Sequence, residues 1–236
     1  YTDTTVEFQP ELKHDQLVVV GQVFAPKQMK KVTRVLDRVR ELSNQTLYAS
    51  VNSTNHVPMA AGLASSASAF AALALSASRS AGLTLSGRDL SRLARRGSGS
   101  ATRSVFGGLV EWHAGHDDQS SYAEPIMENV DFDIEMLAIL IDTKQKKISS
   151  RGGMQSSVET SPFYPAWREV VAHDMVAMKQ AIQNHDIDQI GHLAEENAMR
   201  MHALTLSADP DYTYFDGGTI QAMNLIKGLR NQGVNC

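Results

Sequence analysis

Three stretches of the sequence combine hydroxyls with glycines at close spacing, and the second and third also carry cationic side chains. The first, PMAAGLASSASA, occupies residues 58–69 and precedes an alanine-rich segment. Helix interiors disfavour glycine and serine, and core strands favour branched side chains, so this composition is typical of a strand-to-helix junction. Such a junction points backbone N–H groups, a positive helix dipole and the hydroxyls of Ser65 and Ser66 at one place, which suits a phosphate. A helix start capped by serines explains the same pattern without a ligand.

The second stretch, ARRGSGSATRSVFGGLVEW, occupies residues 94–112. In it Ser98 and Ser100 flank Gly99, and Arg103 follows three residues later. Hydroxyls, a flexible backbone and a planar guanidinium that can fork onto a carboxylate or diphosphate make a second anion cradle. Two cradles in one chain indicate a ligand, or a pair of ligands, with more than one anionic group. In the first stretch, residues 58–69, no lysine stands where a Walker-type loop requires one, so that type of nucleotide-binding loop is excluded.

The third stretch, and two other features of the sequence, can be explained without a ligand. The stretch KQKKISSRGGMQ, residues 144–155, is by itself more typical of a solvated basic loop than of a site. The segment HAGHDD, residues 113–118, groups histidines with aspartates, but a polar turn explains it better than a structural metal site. His202 lies in a predicted helix with an apolar face, which favours a packed or substrate-lining histidine over a metal ligand.

Composition narrows the classes of partner. The 236 residues are 42% hydrophobic, enough for one large or two modest domains. A formal net charge of −4 provides no basic field for nucleic acid or an anionic membrane surface, and we expect neither as a partner. Cys236 is the only cysteine, which excludes an internal disulfide and fits a cytoplasmic location. Neither a long apolar run nor a signal-peptide pattern occurs, so no membrane span is predicted.

Hydrophobic periodicity places these motifs on elements. It predicts a strand at residues 1–9, a second strand or a hairpin at 15–24, and a strand at 47–54 that leads into the first cradle. An amphipathic helix is predicted after Pro26, an alanine-rich helix from Ser66, and a serine-capped helix over SGRDLSRLARR. The stretches FGGLVEWHAG, SSYAEPI and DIEMLAILIDT then have the pattern of strands.

The second part of the chain has a different character. We expect KKISSRGGMQSSVETS, residues 146–161, to be a loop, followed by three helices over 162–186, 186–206 and 217–233. The chain is therefore predicted to be α/β (α+β), with a sheet-and-helix domain at residues 1–143 and a helix-rich domain at 144–236.

These motifs also carry a family resemblance. The stretch PMAAGLASSASAFAAL resembles the phosphate-binding motif of the GHMP kinase superfamily, and RRGSGSATRSVFGGLVEW resembles the signature of its mevalonate diphosphate decarboxylase family. KKISSRGGM and RMHA extend the resemblance over essentially the whole chain. It implies a GHMP-kinase-like two-domain fold, a homodimer, and ATP with Mg²⁺ as cofactors. The implied reaction is decarboxylation of mevalonate 5-diphosphate to isopentenyl diphosphate, with release of ADP, phosphate and carbon dioxide.

The resemblance also implies a role for each motif residue. Substrate binding falls to Ser98, Gly99, Ser100, Arg103, Ser149 and His202. Catalysis falls to Arg103, Ser150 and Lys147, of which Arg103 holds the substrate carboxylate while the other two face the ATP phosphates or the developing charge. ATP binding falls to Ser53, Gly62, Leu63, Ala64, Ser65, Ser66 and Ala67. No protein side chain is expected to ligate a metal directly, because Mg²⁺ arrives on ATP and is held mainly through phosphate oxygens.

Two family features have no counterpart in the sequence. They are a first motif of the type A-x-x-N-I-A-L-I-K-Y-W-G-K and an aspartate base in a D-A-G-P-N run, which Asp216 in YFDGG does not replace. We therefore expect a fragment that lacks both ends of a decarboxylase and is inactive by itself. The alternatives are a small-molecule kinase of the same superfamily, which would release no carbon dioxide, and a non-catalytic fragment that binds phosphorylated metabolites.

Overall fold

The chain divides into two units, Tyr1–Asp131 and Phe132–Cys236. The predicted domain boundary, between residues 143 and 144, stays a prediction. The structure is a computed structural model, and the residues that it describes are 1–25, 29–56, 65–141, 148–234 and 236.

The first unit contains a four-stranded sheet in the order β1-β4-β2-β3. The strands are β1 (Thr2–Gln9), β2 (Gln16–Val19), β3 (Gln22–Val23) and β4 (Tyr48–Asn55). The central strand β4 is antiparallel to β1 and parallel to β2, and β2 and β3 form a hairpin. Ala49 and Val51 of β4 are buried two residues apart, as the period of a strand requires. The predicted strands and hairpin of this region are confirmed.

The described residues of this unit form three α-helices, α1 (Lys30–Ser43), α2 (Ser65–Ser80) and α3 (Gly87–Arg95). The core joins Val35, Leu36 and Val39 of α1 to apolar residues of β4, α2 and α3. Alanines on α2 allow that helix to pack closely against the sheet, and Ser86 caps α3 by accepting a hydrogen bond from the Asp89 N–H at 3.1 Å. All three helices were predicted.

A 3₁₀ turn, Gly99–Thr102, follows α3 and leads to an antiparallel pair, β5 (Leu109–Trp112) and β6 (Ala123–Met127). The strand predicted over DIEMLAILIDT is wrong for its described residues, 133–141, which are in no strand. Its apolar side chains are largely exposed, Met136 to 97% and Leu137 to 86%. A strand requires a neighbour for its backbone hydrogen bonds, and no described strand pairs with this segment.

The described elements of the second unit are helices: α4 (Ser150–Thr160), α5 (Tyr164–Gln183), α6 (Ile187–Leu206) and α7 (Gly217–Asn231). Helix α6 packs against both α5 and α4. The loop predicted for residues 146–161 is wrong, because most of it is α4. Two glycines weaken the helical pattern in the sequence, yet a Cβ on Gly153 would lie 2.8 Å from the Tyr212 ring, so close packing requires this glycine. Among the described helices none has the length and apolarity to cross a membrane.

Candidate active site

Three serine hydroxyls form a chain that joins the two predicted cradles of the first unit. Ser66 Oγ, on the first turn of α2, lies 3.3 Å from Ser98 Oγ, which lies 3.2 Å from Ser100 Oγ. The side chain of Ser66 is exposed, and those of Ser98 and Ser100 are half-buried. Because hydroxyls both donate and accept, they can rotate their protons toward a bound oxyanion. The structure therefore brings together residues that are 32 positions apart in sequence and that were predicted to meet anions.

The cradle is built as a continuation of α3. The carbonyl of Ala94 accepts hydrogen bonds from the backbone N–H groups of Gly97 and Ser98, at 3.1 and 3.2 Å. Within the 3₁₀ turn, the buried Thr102 donates its hydroxyl proton to the Gly99 carbonyl at 2.6 Å. These hydrogen bonds fix the backbone on both sides of Ser98 and Ser100, and the backbone in turn fixes the positions from which their side chains project.

Arg103 ends the 3₁₀ turn with its side chain exposed. In the part of the chain that the structure describes, its guanidinium has no hydrogen bond or ion pair. The nearby arginines of α3, in contrast, bind an aspartate. Arg103 is thus an exposed cation three residues after Ser100, and its role toward a carboxylate stays a prediction.

The other residues of this unit that were predicted to bind ATP lie in different places, and their role toward ATP stays a prediction. Ser65 begins α2 and Ala67 is buried in its first turn. Ser53 lies on β4, and its hydroxyl is 2.9 Å from Thr4 Oγ1 on the paired strand β1, so it is engaged within the sheet. Gly62, Leu63 and Ala64 lie outside the described residues. A contact of Ser53 with ATP stays a prediction.

The site residues predicted for the second unit have structural partners of their own. Ser149 caps α4 by accepting a hydrogen bond from the Gly152 N–H at 3.1 Å, and Ser150 is the exposed first residue of that helix. The His202 ring packs on Phe215, with centroids 4.2 Å apart. Lys147 lies outside the described residues. Roles for Ser149, Ser150 and His202 toward a ligand stay predictions.

Asp216 has a structural role at the start of α7. It caps α7, and its carboxylate accepts a hydrogen bond from the Thr219 N–H at 2.7 Å. This backbone hydrogen bond and the Thr219 hydroxyl lower the pKa of Asp216 below the ordinary aspartate value. A carboxylate stabilised as an anion is a poor proton acceptor, which agrees with its exclusion as the base.

The HAGHDD segment forms a polar loop with a function that the sequence did not indicate. Among the described residues, no group of three His, Cys, Asp or Glu side chains is placed to hold a metal ion. Asp118 instead accepts hydrogen bonds from Arg92, Arg95 and Arg96. The signal that predicts such a partner is the arginine spacing, i, i+3 and i+4, which places three cations on one helix face.

Trp112 is a second residue that sequence reasoning missed. A Cβ on Gly99 would lie 3.2 Å from its ring, so the indole lies against the cradle backbone. The indole N–H donates to Ser121 Oγ at 3.2 Å, which fixes the orientation of the ring. The pair of letters EW in the motif carries no signal for this contact.

Comparison with known proteins identifies the family. The fold and site define a protein of the GHMP-kinase-like class expected from the sequence. Residues 1–123 match the family model described as diphosphomevalonate decarboxylase-like N-terminal domain, and residues 136–235 match that described as mevalonate 5-diphosphate decarboxylase C-terminal domain. The chain belongs to the diphosphomevalonate decarboxylase family. The predicted family and fold class are confirmed.

Individual relatives agree with this assignment. The diphosphomevalonate decarboxylase of Ganoderma lucidum is 39% identical over 90% of this chain, which spans 57% of that relative's length. The phosphomevalonate decarboxylase of Haloferax volcanii is 28% identical, with 98% of this chain and 70% of its own covered. A solved structure described as MDDEF in complex with MVAPP, AMPPCP and magnesium is 43% identical, has a TM-score of 0.87, and aligns with 100% of this chain and 72% of its own.

Proposed function

We propose that the protein in its full-length form catalyses the ATP-dependent decarboxylation of mevalonate 5-diphosphate to isopentenyl diphosphate, ADP, phosphate and carbon dioxide. The observation that carries the proposal is the serine chain Ser66–Ser98–Ser100, followed in sequence by Arg103, whose guanidinium has no partner among the described residues. Hydroxyls suit the oxygens of phosphates, and a planar guanidinium suits a carboxylate. Membership of the decarboxylase family and a solved relative that holds MVAPP, AMPPCP and magnesium support it.

The first unit's residues divide between the two ligands. Ser98, Gly99 and Ser100 would hold the diphosphate of the substrate, and Arg103 its carboxylate. Ser66 and the first turn of α2 would face ATP, since the hydroxyl chain continues to that helix end. The residues described here fit phosphate groups through hydroxyls and do not form a carboxylate cage for a metal, so Mg²⁺ would be held mainly through phosphate oxygens.

In this proposal Arg103 has the main catalytic role, because it binds the carboxylate that is lost as carbon dioxide. When bound, ATP with Mg²⁺ supplies the phosphoryl group that turns the tertiary hydroxyl of the substrate into a leaving group. Arg103 would hold the carboxylate in a fixed orientation until the C–COO⁻ bond breaks. The electron pair of that bond then forms the C=C bond of the product as phosphate leaves, and the carboxylate departs as carbon dioxide. Positioning and neutralisation of charge, more than covalent catalysis, are what such a reaction needs from a protein.

The remaining predicted roles belong to the same proposal. Ser149 and His202 would contact substrate, and Ser150 and Lys147 would face the ATP phosphates or the developing charge. Ser53, residues 62–64, Ser65 and Ala67 would complete the ATP site. We extend the proposal to a homodimer located in the cytoplasm, for which the family resemblance is the support. Light scattering of the purified protein tests the dimer.

The deciding experiment compares Arg103→Met with Arg38→Met in the full-length protein. Arg38 is a half-exposed arginine of α1 that pairs with Glu41, and it receives the same substitution. With substrate covering the cradle, loss of Arg103 leaves a carboxylate unpaired, so we expect a loss of about 3–5 kcal/mol, at least a hundredfold in kcat/KM. Arg38→Met should remain near the wild-type value. Activity of Arg103→Met within threefold of wild type would refute the assigned role.

The assay also separates the alternatives. Stoichiometric release of ADP and carbon dioxide supports the decarboxylase, whereas ADP without carbon dioxide indicates a kinase of the same superfamily. Binding of nucleotide without turnover indicates a non-catalytic protein. Because one relative is named a phosphomevalonate decarboxylase, mevalonate 5-phosphate should be compared with the 5-diphosphate. A higher kcat/KM for the monophosphate would overturn the proposed substrate while leaving the reaction class intact.

A further inference from the structure

One carboxylate in the β5–β6 loop binds three arginines, two on α3 and one directly after it. Asp118 Oδ2 accepts a hydrogen bond from Arg92 Nη2 at 2.6 Å, and Oδ1 accepts from Arg95 Nη2 and Arg96 Nη2, each at 2.8 Å. The Asp118 backbone carbonyl also accepts from Arg92 Nε at 2.9 Å. The Asp118 side chain is only 32% exposed. Both its oxygens and its carbonyl are therefore committed to one helix.

The arginines need this carboxylate because they share one helix face. Residues at i, i+3 and i+4 are neighbours on a helix, and like charges at this spacing repel. Arg92 has a second partner in Asp89, but Asp118 is the only carboxylate that the described ion pairs give to Arg95 and Arg96. In addition, the buried Nε of Arg95 has no hydrogen-bond partner in the described structure. Without Asp118, the end of α3 would carry cations held close together with little to neutralise them.

The end of α3 is also where the serine cradle begins. Gly97 and Ser98 donate their backbone N–H groups to the Ala94 carbonyl, in the same turn as the arginines. A rotation or fraying of this turn would move Ser98, and with it the hydroxyl contacts to Ser66 and Ser100. Displacements of about 1 Å in a group that positions a ligand can cost up to about a hundredfold in rate.

We propose that Asp118 is a positioning residue for the anion cradle: by binding the arginines at the end of α3 it fixes the backbone that presents Ser98 and Ser100 to a diphosphate. The inference rests on the proposed function only in taking a diphosphate as the ligand. Asp118 is itself an anion, which repels a diphosphate, and its hydrogen bonds go to the arginines, so its effect passes through the helix.

The sign of one change separates positioning from simple electrostatics. Asp118→Asn keeps the shape of the side chain and removes a negative charge near the cradle. Electrostatics alone then predicts tighter binding of an anion, because the local potential becomes more positive. Positioning predicts weaker binding, by about tenfold, because the arginines lose their common partner. We would titrate the full-length wild-type and variant proteins with inorganic diphosphate by isothermal calorimetry, which needs no catalytic turnover.

Asp117→Asn is the matched control. It makes the same change of charge in the adjacent residue, whose carboxylate contacts Ser120 within the loop and contacts no arginine of α3. It should bind diphosphate within twofold of wild type. Equal weakening in both variants would assign the effect to the loop and overturn the role of Asp118, as would unchanged or tighter binding by Asp118→Asn.

A second variant covers the case in which Asp118→Asn does not fold. Arg96→Lys keeps the charge of a partly exposed arginine but removes the planar group that reaches Asp118, and it should weaken diphosphate binding about threefold. Thermal melting is recorded for every variant, because a merely structural role lowers the melting temperature without changing the affinity of the folded protein. That result would overturn the proposal. Weakened diphosphate binding in a protein that releases no carbon dioxide would support the positioning role while refuting the decarboxylase.

Discussion

Gly97, directly before the cradle serine Ser98, lies too close to Phe70 for a side chain to fit. A Cβ built at this position would lie 1.9 Å from Cδ1 and 2.5 Å from Cγ of Phe70 on α2. The ring would have to move by about 1.5 Å to reach an ordinary contact distance of 3.4 Å, and it is packed against the core of the first unit. The backbone of Gly97 does not have a positive φ, so alanine is opposed by this contact alone. Overpacking of this kind costs about 1–3 kcal/mol, which is the expected loss for Gly97→Ala.

Chemical denaturation followed by circular dichroism measures this loss. Gly191→Ala is the control, because Gly191 lies inside α6 with no atom within 4 Å of an added Cβ, and the change should stabilise the helix by about 0.5–1 kcal/mol. Phe70→Ala should partly rescue Gly97→Ala, with a coupling of at least about 0.5 kcal/mol in the double-mutant cycle. A free energy of unfolding for Gly97→Ala within 0.5 kcal/mol of wild type, or the absence of coupling, would show that the Phe70 contact is not limiting.

Two further predictions concern ion pairs of the first unit. The buried Asp15 accepts hydrogen bonds from Arg40 at 2.9 and 3.0 Å and from the Ala49 N–H. Arg40→Met should therefore destabilise the protein by about 3 kcal/mol, whereas Arg38→Met, at a more exposed ion pair, should cost less than about 1 kcal/mol. Equal losses of stability in thermal melts would contradict this prediction. Partial burial raises the pKa of Asp118, but the hydrogen bond from Arg92 and the charges of Arg96, Arg92 and Arg95 lower it below the ordinary aspartate value of about 3.9. The stabilisation that the ionised Asp118 gives to the fold is therefore complete above that value and is lost as the pH falls through the lower folded-state pKa. Over this acid range the wild-type protein should lose stability more steeply than Asp118→Asn. Parallel curves of unfolding free energy against pH would refute the assignment.

Local patterns in the sequence predicted most of the fold. The helices α1, α2, α3, α5, α6 and α7 were predictable because their apolar spacing or helix-forming composition agrees with the packing that they make. Helix α4 was missed because its glycines lower helix propensity, while the contact of Gly153 with Tyr212 that requires one of them is far away in sequence. Residues 133–141 failed in the opposite sense, since an apolar run can be a strand only where another strand accepts its hydrogen bonds.

The candidate site shows the same division. Ser66, Ser98 and Ser100 were predictable as anion-binding groups from residue type and spacing, and the structure adds that one hydrogen-bonded chain links them. Asp118 could not be found from its own neighbours, because histidines and a second aspartate beside it suggest a solvated turn. Its function becomes visible only when the loop is placed against α3, and that placement depends on tertiary contacts from Arg88 and Arg92.

The position of Trp112 gives the cradle an optical property. An indole that lies against Gly99 and is held by Ser121 changes its emission when the polarity or hydration around it changes. The only other tryptophan of the sequence, Trp167, lies on α5 of the second unit. A Trp167→Phe protein would therefore emit from the cradle alone, and ligand arrival there could be followed in real time by stopped-flow fluorescence, without any label and before any bond is broken.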